Sequence, residues 1–177
     1  MLPDGKGRIR LDYRIPTRGL IGFRTEYLTA TSGTGLIYHV FEKYAPRVGG
    51  AIAQRNNGAL VSNVQGKALA YALFNLQDRG RLFIGHGEPV YEGMIVGIHQ
   101  RSNDLIVNPT KAKQLTNIRA AGSDENLVLT PRLDYSLEQS LEFLDDDELL
   151  EVTPTNLRLR KKLLKETDRK RESRRAS

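Results

Sequence analysis

Residues 58–100 read GALVSNVQGKALAYALFNLQDRGRLFIGHGEPVYEGMIVGIHQ. Short apolar runs alternate there with turn signals: residues 58–64, a Gln65-Gly66 turn, residues 67–74, Asp78-Arg79-Gly80, residues 82–84, Gly85-His86-Gly87, and residues 94–99 after Glu92-Gly93. Runs of this length at this spacing predict short strands folded into a β-rich, barrel-like domain. Residues 75–79 would add one helical turn to it.

Upstream the texture differs. In residues 6–15 Ile9, Leu11, Tyr13 and Ile15 alternate with Arg8, Arg10, Asp12 and Arg14, the pattern of a half-buried strand with a basic outer face. The turn chemistry of Pro3-Asp4-Gly5 makes this strand the second arm of a hairpin whose first arm is missing. Leu20, Phe23, Tyr27 and Ala30 then fall at helical spacing, with Thr17 as N-cap and Gly33-Thr34-Gly35 as the stop, before a strand at 36–41. A strand, a helix and a strand are too little to fold alone. They read as the second half of a ferredoxin-like split βαβ domain over residues 1–46, and Pro46–Gly50 reads as the linker to a second domain at 47–177. The expected class is α+β.

Downstream, residues 101–126 have no sustained period, and an aperiodic stretch of that length inside a domain is usually functional or disordered. Ser136-Leu137-Glu138-Gln139 matches a capping box, and Leu137, Leu141 and Leu144 form an apolar stripe, so a short acidic helix is expected there. Residues 148–153 and 156–161 read as a hairpin with Leu157 and Leu159 inward. The polar tail is expected to fray.

The chain has 177 residues, no cysteine and three histidines, which excludes disulfides, thiolate metal sites and thiol nucleophiles. No apolar run approaches the roughly 20 residues of a membrane helix, and no signal-peptide core opens the sequence, so a cytoplasmic protein without a membrane partner is expected. A Walker A loop is absent, and the paired glycines lack the third glycine of a dinucleotide fingerprint. The acidic run at 145–148 cannot wrap a calcium ion; it reads as a solvated helix end that needs a basic neighbour such as the strand at 158–162. His86 has no visible partner base or acid. No catalytic residue, metal or cofactor is expected of this chain.

The net charge of +6 resolves into three blocks. Residues 1–133 hold 17 Lys and Arg against 10 Asp and Glu, residues 134–151 hold eight acids and no base, and residues 152–177 hold ten bases against three acids. Within the aperiodic loop, Lys111, Lys113 and Arg119 supply charge for phosphates, and Thr116, Asn117 and Ser123 supply uncharged donors for sugar or base edges. A merely solvated loop would have the same composition. Arg18 and Arg24, with the basic strand face, are the supporting candidates.

Four stretches carry a family resemblance: IPTRGLIGFRTEYLTATSGTG (15–35), QRNNGALVSN (54–63), LQDRGRLFIGHGEPVYEGMIVGIHQRSNDL (76–105) and LDDDELLEVTPTNLRLRK (144–161). They resemble the C-terminal part of the BipA family, also called TypA, bacterial translational GTPases similar to elongation factor G. The resemblance implies that residues 1–46 are the second half of a domain shared with elongation factor G, and that 47–177 are the C-terminal domain peculiar to this family. It also implies that GTP and Mg²⁺ belong to a domain absent here, so that this chain binds rather than hydrolyses. The implied partners are the 70S ribosome, the 50S subunit, rRNA and A-site tRNA, in translation or ribosome biogenesis. The family's loop pattern falls on Val107, Asn108, Lys113, Thr116, Asn117 and Arg119. The incomplete first domain is expected to be partly disordered or to self-associate with another copy. A rival expectation is a protein-interaction module that docks the acidic helix on a basic ribosomal protein.

Overall fold

Ala59, Leu60, Val61 and Ser62 are all fully buried, which a strand achieves only where both faces of its sheet are covered. A computed structural model of the chain describes residues 2–3, 7, 9–20, 23–46, 55, 57–113 and 127–176. The chain divides into two compact units, Met1–Gln54 and Arg55–Ser177.

The second unit is built on a four-stranded sheet. Its strands are β3 (Ala59–Ser62), β5 (Gly80–Leu82), β7 (Ile95–His99) and β8 (Leu105–Val107), in the order β5-β7-β3-β8. β7 runs antiparallel to both neighbours and β8 runs parallel to β3. Opposite β7 the register shifts between Leu60 and Val61, the mark of a bulge. Gly80 is required by close approach, since a Cβ there would stand 1.7 Å from the Ile98 carbonyl oxygen.

On one face Leu60, Leu82, Val96 and Val107 pack with Leu73 and Leu76 of α2 (Ala70–Gln77). On the other, Ala59, Val61 and Ile95 pack with Phe143 and Leu159. These come from α3 (Leu137–Phe143) and from the hairpin of β9 (Glu148–Val152) and β10 (Leu157–Lys161). Phe83, Tyr135 and Phe143 meet there with ring centroids 4.8–6.1 Å apart. A small antiparallel pair, β4 (Gly66–Lys67) with β6 (Pro89–Val90), stands apart from the sheet.

The barrel-like expectation is therefore corrected. β5 and β8 are open edges that do not pair with each other, and the class is α+β with an open sheet. Closure is needed to bury a sheet that lacks covering layers; here α2 covers one face and α3 with the hairpin covers the other. The run at 67–74 supplies the missing layer. It begins in β4 and becomes helix from Ala70, because Ala72, Leu73 and Leu76 recur at helical spacing and alanine and leucine favour helix.

The capping box at Ser136 is formed as expected, with Ser136 Oγ accepting from the Gln139 amide and Gln139 Oε1 accepting from the Ser136 amide. Of the stripe it introduces only Leu144 packs on the core: Leu137 and Leu141 remain 44% and 43% exposed, while Ser140 and Phe143 are buried. The hairpin forms with Leu159 inward, but Leu157 lies at its exposed end. The tail is helix α4 (Glu166–Ala176) rather than frayed. Glu166 and Asp168 in its first turn and Arg174 and Arg175 in its last complement the helix dipole, and Glu166 pairs with Lys170 at 2.5 Å.

In the first unit, β1 (Leu2–Pro3) pairs with β2 (Ile9–Arg10), so a short first hairpin arm is present. The helical pattern becomes a 3₁₀ turn at Thr17–Gly19 and helix α1 (Phe23–Ala30). Residues 36–41 are not a strand, and the half-ferredoxin sheet is not formed among the described residues. Among the described residues, no helix is long and apolar enough to cross a membrane.

Candidate nucleic-acid interface

The aperiodic loop leaves the sheet at the end of β8, and its departure is fastened from several sides. The Val107 carbonyl accepts from the Asn63 amide at 3.0 Å, and the carbonyl of fully buried Pro109 accepts from the Leu69 amide at 2.9 Å. Asn108 Oδ1 accepts from both the amide and the hydroxyl of Thr110, each at 2.9 Å, which turns the chain outward. The returning arm is held by one side chain of α2. Gln77 Nε2 donates to the Val128 carbonyl and Gln77 Oε1 accepts from the Thr130 amide, at 3.1 and 3.0 Å.

Lys111 and Lys113 stand exposed on the departing arm, with no ion pair among the described residues. Thr116, Asn117, Arg119 and Ser123 lie outside the described residues, as does Arg8. In the first unit Arg24 is exposed on α1, and Arg18 lies in the 3₁₀ turn. Arg10 and Arg14 are held by Asp12 and Glu42 at 2.9 and 2.8 Å, so two cations of the expected basic face already have acidic partners.

The acidic run at 145–148 is compensated by the strand at 158–162, as expected. Glu148, its side chain wholly buried, receives Arg55 Nη1 and Nη2 at 2.6 Å each. Arg55 also donates to the Phe143 carbonyl at 3.0 Å, and its guanidinium lies 4.3 Å from the Phe143 ring centroid. Lys161 Nζ meets Asp104 at 2.5 Å and both Asp147 and Glu148 at 2.9 Å. Burial alone would push the Asp104 carboxyl up, yet hydrogen bonds from Lys161 and the Ala59 amide, with the charges of Lys161 and Arg55, hold it below its ordinary value. The same carboxylates raise Lys161 against its own desolvation. This network ties the entry to β3, the entry to β8 and the hairpin together, and so fixes the sheet edge from which the loop departs.

His86 is an exposed turn residue, and Glu88 beside it accepts from the Gly85 amide and pairs with Arg132. His99 is structural, its Nδ1–H donating to the Asn103 carbonyl at 2.6 Å. Among the described residues no three His, Asp or Glu side chains form a metal-holding group.

Sequence reasoning missed α4. Lys170, Arg171, Arg174 and Arg175 fall on one arc of it at i, i+1, i+4 and i+5, and the last three carry no ion pair among the described residues. The signal was present as acids opening and arginines closing a segment free of Gly and Pro.

Residues 1–55 match the elongation factor G C-terminus family, and residues 57–166 match the TypA/BipA C-terminal domain. Proteins named large ribosomal subunit assembly factor BipA from Salmonella typhimurium, Haemophilus influenzae and Buchnera aphidicola are 63%, 62% and 55% identical over 174 residues, 98% of this chain. The chain spans under a third of their length, 28–29%. Both matched regions are C-terminal domains of their families, and neither is the GTP-hydrolysing domain. With most of its second unit inside that C-terminal domain and more than half its residues shared with each of these relatives, the chain belongs to the TypA/BipA family.

Proposed function

We propose that this chain is the ribosome-binding and RNA-binding C-terminal module of a cytoplasmic translational GTPase, acting in large-subunit assembly or translation. The observation that carries the reading is the clamped loop. A framework fastened at 107–110 and at 128–130 presents Lys111 and Lys113 to solvent, in a family whose relatives are named for large ribosomal subunit assembly. The loop at 108–124 would contact rRNA and A-site tRNA, with Lys111, Lys113 and Arg119 on phosphates and Thr116, Asn117 and Ser123 on sugar or base edges. Arg18, Arg24 and the arginine arc of α4 would add backbone contacts. Each cation that replaces condensed counterions on a phosphate makes affinity fall with salt.

Co-sedimentation with 70S ribosomes and 50S subunits across a salt series tests this. Replacing Lys111, Lys113 and Arg119 together by Ala should weaken binding and reduce the log–log salt slope by about two to three. Unchanged binding and slope would remove the loop from the interface.

A second reading is favoured by the exposed Leu137 and Leu141 on an acidic helix. A basic ribosomal protein would cover that stripe. Glu138→Lys with Leu141→Ser should then weaken 50S binding while leaving binding to protein-free rRNA intact.

A further inference from the structure

Between α2 and the open edge of β8 lies a cleft of about 790 Å³, within the range of roughly 300–1,000 Å³ usual for small-ligand sites. Its walls are Tyr71 and Asn75 from α2, Arg79 from the turn that follows it, and β8 with Asn108 and Lys111 beyond it. We propose that this cleft holds one unpaired nucleotide of a single-stranded RNA, a site that shares Lys111 with the loop and adds to it a stacking surface and Arg79.

Three features match the face of a base, the edge of a base and a phosphate. Tyr71 gives a half-buried aromatic ring for a base, and stacking on such rings is what single-strand binders use in common. Asn75 Nδ2 donates to the Tyr71 carbonyl at 2.7 Å, which leaves its Oδ1 to accept; Asn108 Oδ1 is taken by Thr110, which leaves its Nδ2 to donate. One acceptor and one donor suit the paired donor and acceptor of a base edge. Arg79 and Lys111 are exposed, have no ion pair among the described residues, and give the lining two cations against the single carboxylate of Asp78. That charge favours a polyanion over the other occupant an open strand edge admits, an extended peptide added along β8.

The geometry also explains why a loop with no aromatic residue can serve single-stranded RNA. The stacking surface stands beside the loop's root, on α2, the same helix whose Gln77 clamps the returning arm.

The inference rests on the RNA-binding reading, and its test separates the two. Binding of the full chain to a fluorescein-labelled single-stranded RNA hexamer and to a duplex of the same sequence is measured by anisotropy. Tyr71→Ala should weaken the hexamer about tenfold and leave the duplex unchanged, while Tyr71→Phe keeps both. Arg79→Ala, at an exposed position that does not threaten folding, should lower the hexamer's salt slope by about 0.7. Equal losses on hexamer and duplex, no loss with Tyr71→Ala, an unchanged slope, or equal affinity for an acidic peptide of the same charge would each overturn the site. A chain that does not co-sediment with ribosomes yet keeps Tyr71-dependent hexamer binding would refute the ribosomal reading and uphold the cleft.

Discussion

The two units meet the same problem, a short chain with alternating apolar residues, with opposite results. In the second unit Leu60, Val61 and Val96 are wholly buried because the sheet has a layer on each face. In the first, Tyr38, Val40 and Tyr44 are 85%, 91% and 94% exposed, and the stretch that carries them forms no strand. Alternation specifies which side chains would share a face; it does not provide the neighbour that hydrogen-bonds the strand or the layer that covers it. Local pattern is common to both units, and among the described residues covering layers are present in one alone.

The most severe way to break the comparison is to separate the units. Residues 55–177 alone should show a cooperative urea transition, and residues 1–54 alone should show none, by circular dichroism and fluorescence. The cut leaves Arg55 with the second unit, where its pair with Glu148 belongs. A cooperative transition in the smaller fragment would mean that its exposed apolar residues find cover of their own.

Next in size is the ion network. Glu148→Ala strands Arg55 and Lys161 in a buried site and should cost about 3–5 kcal/mol in urea unfolding, against less than 1 for removing an exposed pair such as Arg14 with Glu42. Its pH dependence has two limits. Asp104 is held below its ordinary 3.8, so its contribution is complete above that value and is lost as pH falls through the lowered folded value. Lys161 is held above its ordinary 10.5, so its contribution is complete below that value and is lost as pH rises through the raised one. The network's contribution should be level between about pH 5 and 10 and fall outside it, and Lys161→Met with Asp104→Asn should reduce the pH dependence at both ends.

What was legible in the sequence follows the same division between local and distant causes. The capping box at 136–139, the hairpin at 148–161, strand β7 and the need of the acidic run for a basic strand are stated by residues near one another in sequence. α2 was hidden because Leu69, Tyr71 and Leu73 alternate as a strand would, while Ala72, Leu73 and Leu76 recur as a helix does; the eight residues from Leu69 to Leu76 satisfy both periods. The open sheet was hidden with it, since a sheet without α2 must close on itself to be buried. The site divides likewise. The loop was marked by its own aperiodicity and charge, whereas Arg55 finds Glu148 across 93 residues and Gln77 finds Val128 across 51, and no local pattern announces either. α4 is legible in the order of its charges, acids first and arginines last, and not in their density.

The smallest expected effect sharpens the comparison most. Tyr38→Ser removes an aromatic ring that is 85% exposed, so the area returned to water is small and the change in unfolding free energy should stay within about 0.5 kcal/mol. Leu60→Ala, a smaller truncation but at a wholly buried position, should cost about 2–5 kcal/mol. The ratio of the two, measured in one chain by the same transition, reports whether the apolar residues of the first unit are surface in solution. If Tyr38→Ser costs as much as Leu60→Ala, that residue is buried by something, and a lower cost on dilution would identify the cover as a second copy of the chain.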